Sequence, residues 1–161
     1  MSLDGFIEGP NGEYDWCFTD QDYGLADFYK RVDAVFMGRK SYELMLSTEG
    51  VPGMPRMKEY VFSNTLNQVP EGTQLLKGDI KEQVLKIKQE EGKDIWLFGG
   101  ASLTTSLMKE KLVDEVWLSV HPILLGAGKP MFQDIAGRTI LELLESKTYD
   151  TGLVSLKYRL K

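Results

Sequence analysis

The amino-acid sequence predicts an α/β protein with a mixed, mostly parallel sheet that is covered by helices on both faces. Apolar, strand-like runs alternate with amphipathic, helix-like segments through the first two thirds of the chain. Several of these runs end in glycine or in small polar residues, as strands do before a turn. The last residues alternate between apolar and polar side chains, which is typical of a β-hairpin. Together these observations favour parallel strands followed by a short antiparallel ending.

The first third of the chain predicts a loop, a helix and a strand. Residues 2–7 are predicted to form a loop, because a turn-rich stretch of glycine, proline and asparagine follows them. Apolar side chains over residues 20–31 fit a short amphipathic helix, although Gly24 weakens it. The apolar run 34–37 predicts a buried strand that ends at Gly38 and leads into a second helix.

The middle of the chain contains the clearest helix signal. Asp79 can cap a helix, Glu82 completes a capping box, and Gly92 ends the segment. The other segments predicted in this region are a loop rich in glycine and proline over residues 47–55 and strands over residues 59–62 and 73–77.

An apolar run that is interrupted by two glycines, residues 94–100, predicts a buried strand that turns sharply into a helix over residues 102–110. The remaining predicted segments are a strand within residues 113–120, an apolar continuation over 122–125 and a hairpin with strands over 141–149 and 154–160.

Composition indicates a single domain over residues 1–161 and narrows the class of function. Apolar residues make up 42% of the 161 residues and charged residues 27%, which is ordinary for a globular protein. A net charge of −5 without a long basic cluster argues against nucleic-acid binding. Because the sequence has no long apolar run and no signal-like N-terminus, we expect a cytoplasmic protein that does not span a membrane.

Cys17 and His121 are the only cysteine and the only histidine of the chain. They exclude an internal disulfide, a zinc site built from cysteine and histidine, and a zinc-dependent deaminase, so we expect no metal site of that kind. A serine hydrolase would depend on His121 alone, and the sequence has no Gly-x-Ser-x-Gly motif. We therefore expect both residues to be structural.

Three turns follow predicted strands and carry glycine, hydroxyl or basic side chains: residues 38–41, 63–65 and 99–102. Ligands of open α/β sheets bind beyond the carboxyl ends of the strands, so three such turns on parallel strands should face one crevice. Two of the turns open helices, whose free N–H groups suit a ligand with more than one phosphate. The alternative is that each turn is only a strand-to-helix connection with solvated charges.

Five sequence stretches together indicate a known family: VFMGRKSYE at 35–43, FSNTL at 62–66, FGGASL at 98–103, DEV at 114–116 and PILLGAGKPMF at 122–132. They resemble the dihydrofolate reductase-like proteins. The resemblance is closest to the bacterial branch related to the C-terminal reductase domain of the riboflavin-biosynthesis deaminase-reductase. It covers nearly the whole chain in the same order and implies a dihydrofolate reductase-like three-layer α/β/α fold.

The resemblance implies NADPH as the cofactor, bound across the strand ends. A basic side chain, Arg39, close to a 2′-phosphate is the reason to prefer NADPH to NADH. The residues implied in cofactor binding are Gly38, Arg39, Lys40 and Ser41 at the phosphates, Ser63 and Asn64 on the adenosine side, and Gly99, Gly100, Ala101, Ser102 and Leu103 at the pyrophosphate.

On the substrate side, the resemblance offers two places for an acid that assists protonation. Asp4 matches a Ser-x-Asp-Gly motif of the riboflavin-type branch and is the better candidate, although Asp-Gly is also an ordinary turn. Folate-reducing relatives carry an acid on the first helix, and Asp22 or Asp27 could fill that role. The choice between them stays open, because a register based on the helix and one based on the strand align different residues with the family position. The other candidates for the substrate pocket are the aromatic rings of Trp16 and Tyr42, with Leu125 and Gly126 near the nicotinamide.

The implied function is an NADPH-dependent reductase that transfers a hydride to a small conjugated heterocycle in folate- or riboflavin-related metabolism. The alternative is a non-catalytic member of the same fold that binds NADPH or another ligand as a homodimer. The chain carries no deaminase domain and no obvious Arg or Lys set for a ribose phosphate, which counts against the riboflavin step itself. A homodimer is implied in either case, and the apolar C-terminal hairpin could contribute to its interface. Relatives carry an apolar strand before the Ser-x-Asp-Gly motif, so we expect the first family strand to be missing upstream of Met1.

Overall fold

The computed structural model describes residues 1–48, 53–135 and 137–161. The chain divides into two units: unit 1 comprises Met1–Tyr23 and Val113–Lys161, and unit 2 comprises Gly24–Leu112. Part of the predicted loop over residues 47–55 lies outside the described residues. Within the described residues, the elements in chain order are β1 (Phe6–Glu8), α1 (Leu25–Arg31), β2 (Val32–Gly38), α2 (Arg39–Ser47), β3 (Lys58–Phe62), β4 (Thr73–Leu76), α3 (Ile80–Lys88), β5 (Asp94–Gly99), α4 (Ala101–Lys109), β6 (Glu115–Val120), β7 (Lys129–Pro130), β8 (Leu141–Thr148) and β9 (Val154–Leu160).

Unit 2 contains a four-stranded parallel sheet in the order β4-β3-β2-β5. The central strand β2 is apolar except for Asp33, and β3 ends in the buried apolar run 60–62, as expected for strands that are covered on both faces. Val35, Met37 and Val61 are completely buried, and Tyr42 and Met45 of α2 belong to the same cluster. Full burial of such side chains stabilises a fold by about 1.5–3 kcal/mol each, so this cluster fixes where the strand ends lie.

Helix α3 begins as its sequence predicts. The Asp79 carboxylate accepts hydrogen bonds from the N–H groups of Lys81 (2.8 Å) and Glu82 (3.2 Å), which satisfies donors that have no partner inside the helix. The side chain of Glu82 pairs instead with Lys86, one turn further along. The helix ends at Lys88, a few residues before the predicted end at Gly92.

Helix α1 is shorter than predicted. The pattern over residues 20–31 suggested one helix, but the helix begins at Leu25 because Gly24 adopts a left-handed conformation with φ of 92°. The preceding residues are held within unit 1, where the hydroxyl of buried Tyr23 lies 2.6 Å from the Asp20 carboxylate and 3.3 Å from the Thr151 hydroxyl.

Unit 1 contains antiparallel strands. β6, β9 and β8 form a three-stranded sheet in that order, and β1 pairs with β7. The predicted C-terminal hairpin is confirmed: β8 and β9 pair through Thr148 and Val154, and the turn is closed by a hydrogen bond from the Tyr149 N–H to the Leu153 carbonyl.

The N-terminal residues correct one prediction. Residues 2–7 were expected to be a loop, but Phe6 and Ile7 belong to β1. Leu3 and Met1 also form backbone hydrogen bonds, to Ile123 and His121 respectively, with Ser2 in a parallel bridge to His121. These bonds join residues more than a hundred positions apart, which no local pattern predicts.

Strand β9 alternates as predicted, but part of its polar face is buried. Ser155 is buried and its hydroxyl accepts a 2.6 Å hydrogen bond from the Trp117 indole, while Lys157 forms a half-buried ion pair with Glu115 at 2.9 Å. The apolar side of the hairpin leaves large side chains exposed at Ile140, Leu141 and Leu143.

The predicted mixed α/β class is confirmed by a parallel sheet in unit 2 and antiparallel sheets in unit 1. Among the described residues, no helix combines the length and the apolar character that are needed to cross a membrane.

Candidate functional site

The three predicted turns lie side by side at the carboxyl edge of the unit 2 sheet. β2 lies between β3 and β5, and the register pairs Gly38 with Phe62 on one side and Met37 with Gly99 on the other. The residues that follow these strands therefore leave the sheet at the same edge, which in parallel sheets is where ligands bind.

Two of these turns approach each other so closely that side chains would occupy the space between them. A Cβ atom on Gly38 would lie 3.6 Å from the Gly100 nitrogen, and a Cβ atom on Gly100 would lie 3.3 Å from the Ser41 hydroxyl. Gly100 has φ of −88°, so space rather than backbone conformation favours glycine there. At Gly99 the reason is conformational, since its φ of 119° is one that side chains rarely allow.

Helices α2 and α4 begin directly after these glycines, and neither N-terminus is capped by a side chain. The first N–H groups of a helix have no intrahelical partner, and the helix dipole places roughly half a positive charge at that end. Two such ends at one sheet edge are suited to an anionic ligand with two charged groups. At the start of α4, Ser102 is exposed, whereas Ala101 and Leu103 are buried and would offer only their backbone N–H groups.

Arg39 connects the start of α2 with the third turn. Its guanidinium donates a 3.1 Å hydrogen bond to the Thr65 hydroxyl, and its Nε lies 3.6 Å from the Glu43 carboxylate. The Ser63 hydroxyl lies 3.3 Å from that of Thr65 and accepts N–H bonds from Thr65 and Leu66. The guanidinium and the two hydroxyl groups thus form one polar cluster at the sheet edge.

The neighbouring residues of this cluster have different surroundings. Lys40 is exposed at the start of α2. The Asn64 side-chain oxygen accepts a 3.0 Å hydrogen bond from the Gly78 N–H, so it fastens the turn after β3 to the segment after β4. Thr65 belongs to one of the three predicted turns, but neither Thr65 nor Glu43 was among the residues implied in cofactor binding. The spacing of Glu43, four residues after Arg39 on a helix, is the signal that could have identified it.

In unit 1, Asp4 lies against Leu125 and Gly126. Its carboxylate accepts hydrogen bonds from the Leu125 N–H at 3.1 and 3.2 Å and from the Gly126 N–H at 2.8 Å. Hydrogen bonding by Ser2 and by these two N–H groups lowers the pKa of Asp4. Asp4 is therefore an ionised acceptor at neutral pH, and three of the predicted residues are brought together here.

Trp16, also in unit 1, is half-buried with its ring edge against His121 at a centroid distance of 5.3 Å. Its indole nitrogen is buried and has no hydrogen-bond partner among the described residues. His121 accepts a 3.1 Å hydrogen bond from the Phe18 N–H, and burial lowers the pKa of its ring. The neutral His121 ring therefore holds the backbone at Phe18, two residues after Trp16.

The last two candidates lie in unit 2 and in contrasting surroundings. Tyr42 is 3% exposed within the core cluster, and its hydroxyl has no hydrogen-bond partner among the described residues. Asp27 is on the surface of α1, with 84% of its side chain exposed and an ion pair of 2.8 Å to Lys30. The roles predicted for both residues stay predictions.

The family model of the RibD C-terminal domain matches residues 1–155 of this chain. Among curated proteins, the uncharacterized protein YyaP of Bacillus subtilis is 41% identical over 169 residues, covering 98% of this chain and 90% of YyaP. The uncharacterized protein YwjB of the same organism is 33% identical over 162 residues, covering 98% of this chain and 92% of YwjB.

Three solved structures show the same fold over 99% of this chain. A Shewanella sp. PV-4 protein named for a supposed role in riboflavin biosynthesis has a TM-score of 0.85 at 29% identity, with 94% of its length covered. The diaminohydroxyphosphoribosylaminopyrimidine deaminase/5-amino-6-(5-phosphoribosylamino)uracil reductase of Thermotoga maritima has a TM-score of 0.75 at 12% identity, with 54% covered. The dihydrofolate reductase of Enterococcus faecalis, solved with NADP(H), has a TM-score of 0.68 at 14% identity, with 92% covered. The predicted dihydrofolate reductase-like fold is confirmed.

Proposed function

Because the chain belongs to the RibD C-terminal domain family, we propose that it is an NADPH-dependent reductase of a small conjugated heterocycle such as a pterin or a pyrimidine. The observation that carries this proposal is the pair of uncapped helix N-termini beside Arg39 at one sheet edge. A dinucleotide has a pyrophosphate, which suits such ends, and NADPH has a further phosphate, which suits a guanidinium.

The residues at this edge fit the phosphates of a dinucleotide. The glycines at 38 and 100 carry no Cβ atom, which allows the two turns to lie side by side, so the backbone N–H groups of both helix starts would face the same ligand. Gly38, Lys40 and Ser41 at α2 would hold one phosphate, and residues 99–103 at α4 the other. Ser63 and Asn64 would lie on the adenosine side.

Arg39 and its hydroxyl neighbours would hold the 2′-phosphate that distinguishes NADPH from NADH. The guanidinium is already oriented by its bond to Thr65, so little side-chain freedom would be lost on binding. Glu43, 3.6 Å from the Arg39 Nε, is negatively charged like the phosphate, so the phosphate would have to compete with Glu43 for the guanidinium. The preference for NADPH should therefore depend on the balance between these two side chains.

Bound NADPH supplies a hydride, so this chain's residues have to orient the substrate and provide for its protonation. Trp16 was predicted to line the substrate pocket with its ring; its buried indole N–H without a partner among the described residues could in addition donate to a ligand acceptor. Tyr42, Leu125 and Gly126 stay predictions for the substrate side, as does Asp27 for proton transfer. Asp4 was predicted for the same role, but the hydrogen bonds that lower its pKa favour the ionised form, which is an acceptor. The setting that we propose is folate- or riboflavin-related metabolism in the cytoplasm.

We also propose that the protein is a homodimer. β8 pairs on one side only among the described strands, and the exposed leucines at 141 and 143 lie on this strand. Exposed apolar side chains on an edge strand favour pairing with a second chain.

The proposed function is tested by following the nicotinamide absorbance of NADPH with a panel of pterin, pyrimidine and flavin substrates. We expect oxidation with at least one member of the panel and none with the Gly100→Val variant. If NADPH binds but no member is reduced, the non-catalytic alternative is favoured. If NADPH at millimolar concentration does not bind, the proposal is wrong.

A further inference from the structure

The segment 124–128 in unit 1 is attached to residues 3–8 at three points. At its start, the Leu3 N–H donates a 2.8 Å hydrogen bond to the Ile123 carbonyl, and at its end Lys129 is paired with Glu8 in the β1–β7 ladder. Between these points, the N–H groups of Leu125 and Gly126 are bonded to the carboxylate of Asp4.

The middle of this segment forms no regular secondary structure, and Gly126 has φ of 72°. A backbone turn whose ends are held by main-chain bonds can still move in its middle, and here the Leu125 and Gly126 N–H groups are bonded to a side chain. The Asp4 contacts are charge-assisted, and the one with the Gly126 N–H is short at 2.8 Å; charge-assisted hydrogen bonds are about twice as strong as neutral ones.

We propose that Asp4 is a positioning residue, whose carboxylate fixes the Leu125–Gly126 turn by accepting both of its N–H groups. Such a role requires a permanent acceptor, whereas a proton donor needs a carboxyl group that is protonated in the working pH range. The lowered pKa of Asp4 agrees with the first role. The effect on catalysis rests on the proposed reductase function, since Leu125 and Gly126 are predicted to lie near the nicotinamide. The attachment of the turn to Asp4 is independent of that function.

The attachment is tested by amide hydrogen exchange, measured by NMR without cofactor on the wild type and on Asp4→Asn and Asp4→Ala. We expect exchange at Leu125 and Gly126 to accelerate about tenfold or more in Asp4→Ala, since a charge-assisted bond is lost. The exchange rates in Asp4→Asn should lie between those of the wild type and of Asp4→Ala, because the asparagine amide retains one acceptor oxygen. The Met131 N–H, bonded to the Gly5 carbonyl at 2.9 Å, is the internal control and should not change.

The catalytic role is tested by the pH dependence of kcat/KM between about pH 5 and pH 9. A positioning role predicts that the pH profile of kcat/KM has the same shape in all variants. The value of kcat/KM should fall more in Asp4→Ala than in Asp4→Asn, and it should not fall in the control Asp150→Asn, which changes an exposed residue. Unchanged exchange at Leu125 and Gly126 would overturn the proposal. So would the loss of one limb of the pH profile with equal inactivation of both variants, since that result identifies a proton donor. If the wild type neither binds NADPH nor reduces a substrate, the proposed function fails, and the exchange result alone decides the role of Asp4.

Discussion

At the residue scale, the candidate site depends on glycine where two backbone turns approach and on Arg39 where a charge is needed. Sequence patterns predicted both, because glycine after an apolar run and a basic side chain at a helix start are local signals. The same reasoning could not place Asp4 against Leu125 and Gly126, since these residues are more than a hundred positions apart. For Tyr42 the residue type alone allowed either a pocket-lining or a core position, and the structure places its ring in the core cluster.

Replacing Gly100 by valine should abolish NADPH binding at a modest cost in stability. The new side chain would occupy the space next to the Ser41 hydroxyl, 3.3 Å from the Cβ position, and would block the approach to the backbone. We expect the dissociation constant to rise at least about tenfold and the free energy of unfolding to fall by about 1–3 kcal/mol. Calorimetric titration and urea unfolding measure the two effects.

The matched control for this change is Gly92→Val, where a Cβ atom would lie 3.1 Å from the Asp33 carboxylate and away from the three turns. It should lower stability without weakening NADPH binding. Unchanged NADPH affinity in a folded Gly100→Val protein would contradict the assignment of this turn to the phosphates.

Replacing Arg39 by glutamine should remove the preference for NADPH. A charge-assisted pair with a phosphate contributes about 1.5–3 kcal/mol, so NADPH affinity should fall about 10- to 100-fold while NADH affinity stays constant. Titration with both cofactors measures this ratio. The control Arg31→Gln removes a surface arginine that pairs with Asp94 and should leave the ratio unchanged. An equal loss for NADH and NADPH would exclude Arg39 as the 2′-phosphate ligand.

At the scale of elements, prediction succeeded where a segment contains its own signal. The helix after Asp79 has a capping residue and a periodic apolar face within one short segment. The hairpin of β8 and β9 has an alternating pattern next to its turn. The helix α1 was predicted too long, because the left-handed Gly24 stops it while the apolar pattern continues. Strand β1 has three residues and pairs with a two-residue strand, which is too short to show a period.

Replacing Asp79 by alanine tests the cap of α3. Two N–H groups would lose their acceptor, so the free energy of unfolding should fall by about 1 kcal/mol. For a protein of this size the midpoint of thermal unfolding should fall by about 2–4 °C. Calorimetry of this variant and of the exposed control Glu91→Ala measures the difference, and equal midpoints would show that the cap does not contribute.

At the scale of the whole molecule, the two units are interleaved in the sequence, since unit 1 is built from both ends of the chain. The mixed α/β class was predictable because it follows from the order of the elements. The pairing of β1 with β7, and of residues 1–3 with residues 119–123, was not, because it joins distant segments without a periodic signal. The prediction of one domain over residues 1–161 stays a prediction.

The oligomeric state is tested by replacing Leu143, which is 53% exposed on β8, by glutamate. A charge on an apolar interface should dissociate the proposed homodimer. Light scattering after size exclusion should give about twice the chain mass of 18.2 kDa for the wild type and about that mass for the variant. The control Leu85→Glu changes an exposed leucine on α3 and should remain dimeric. A wild type of single-chain mass would contradict the proposal.

A crystal structure of the protein with NADPH tests the proposed cofactor site most directly. We expect the pyrophosphate within hydrogen-bond distance of the first N–H groups of α2 and α4, and the 2′-phosphate within hydrogen-bond distance of Arg39. Electron density for NADPH away from these three turns would show that the proposed site is wrong.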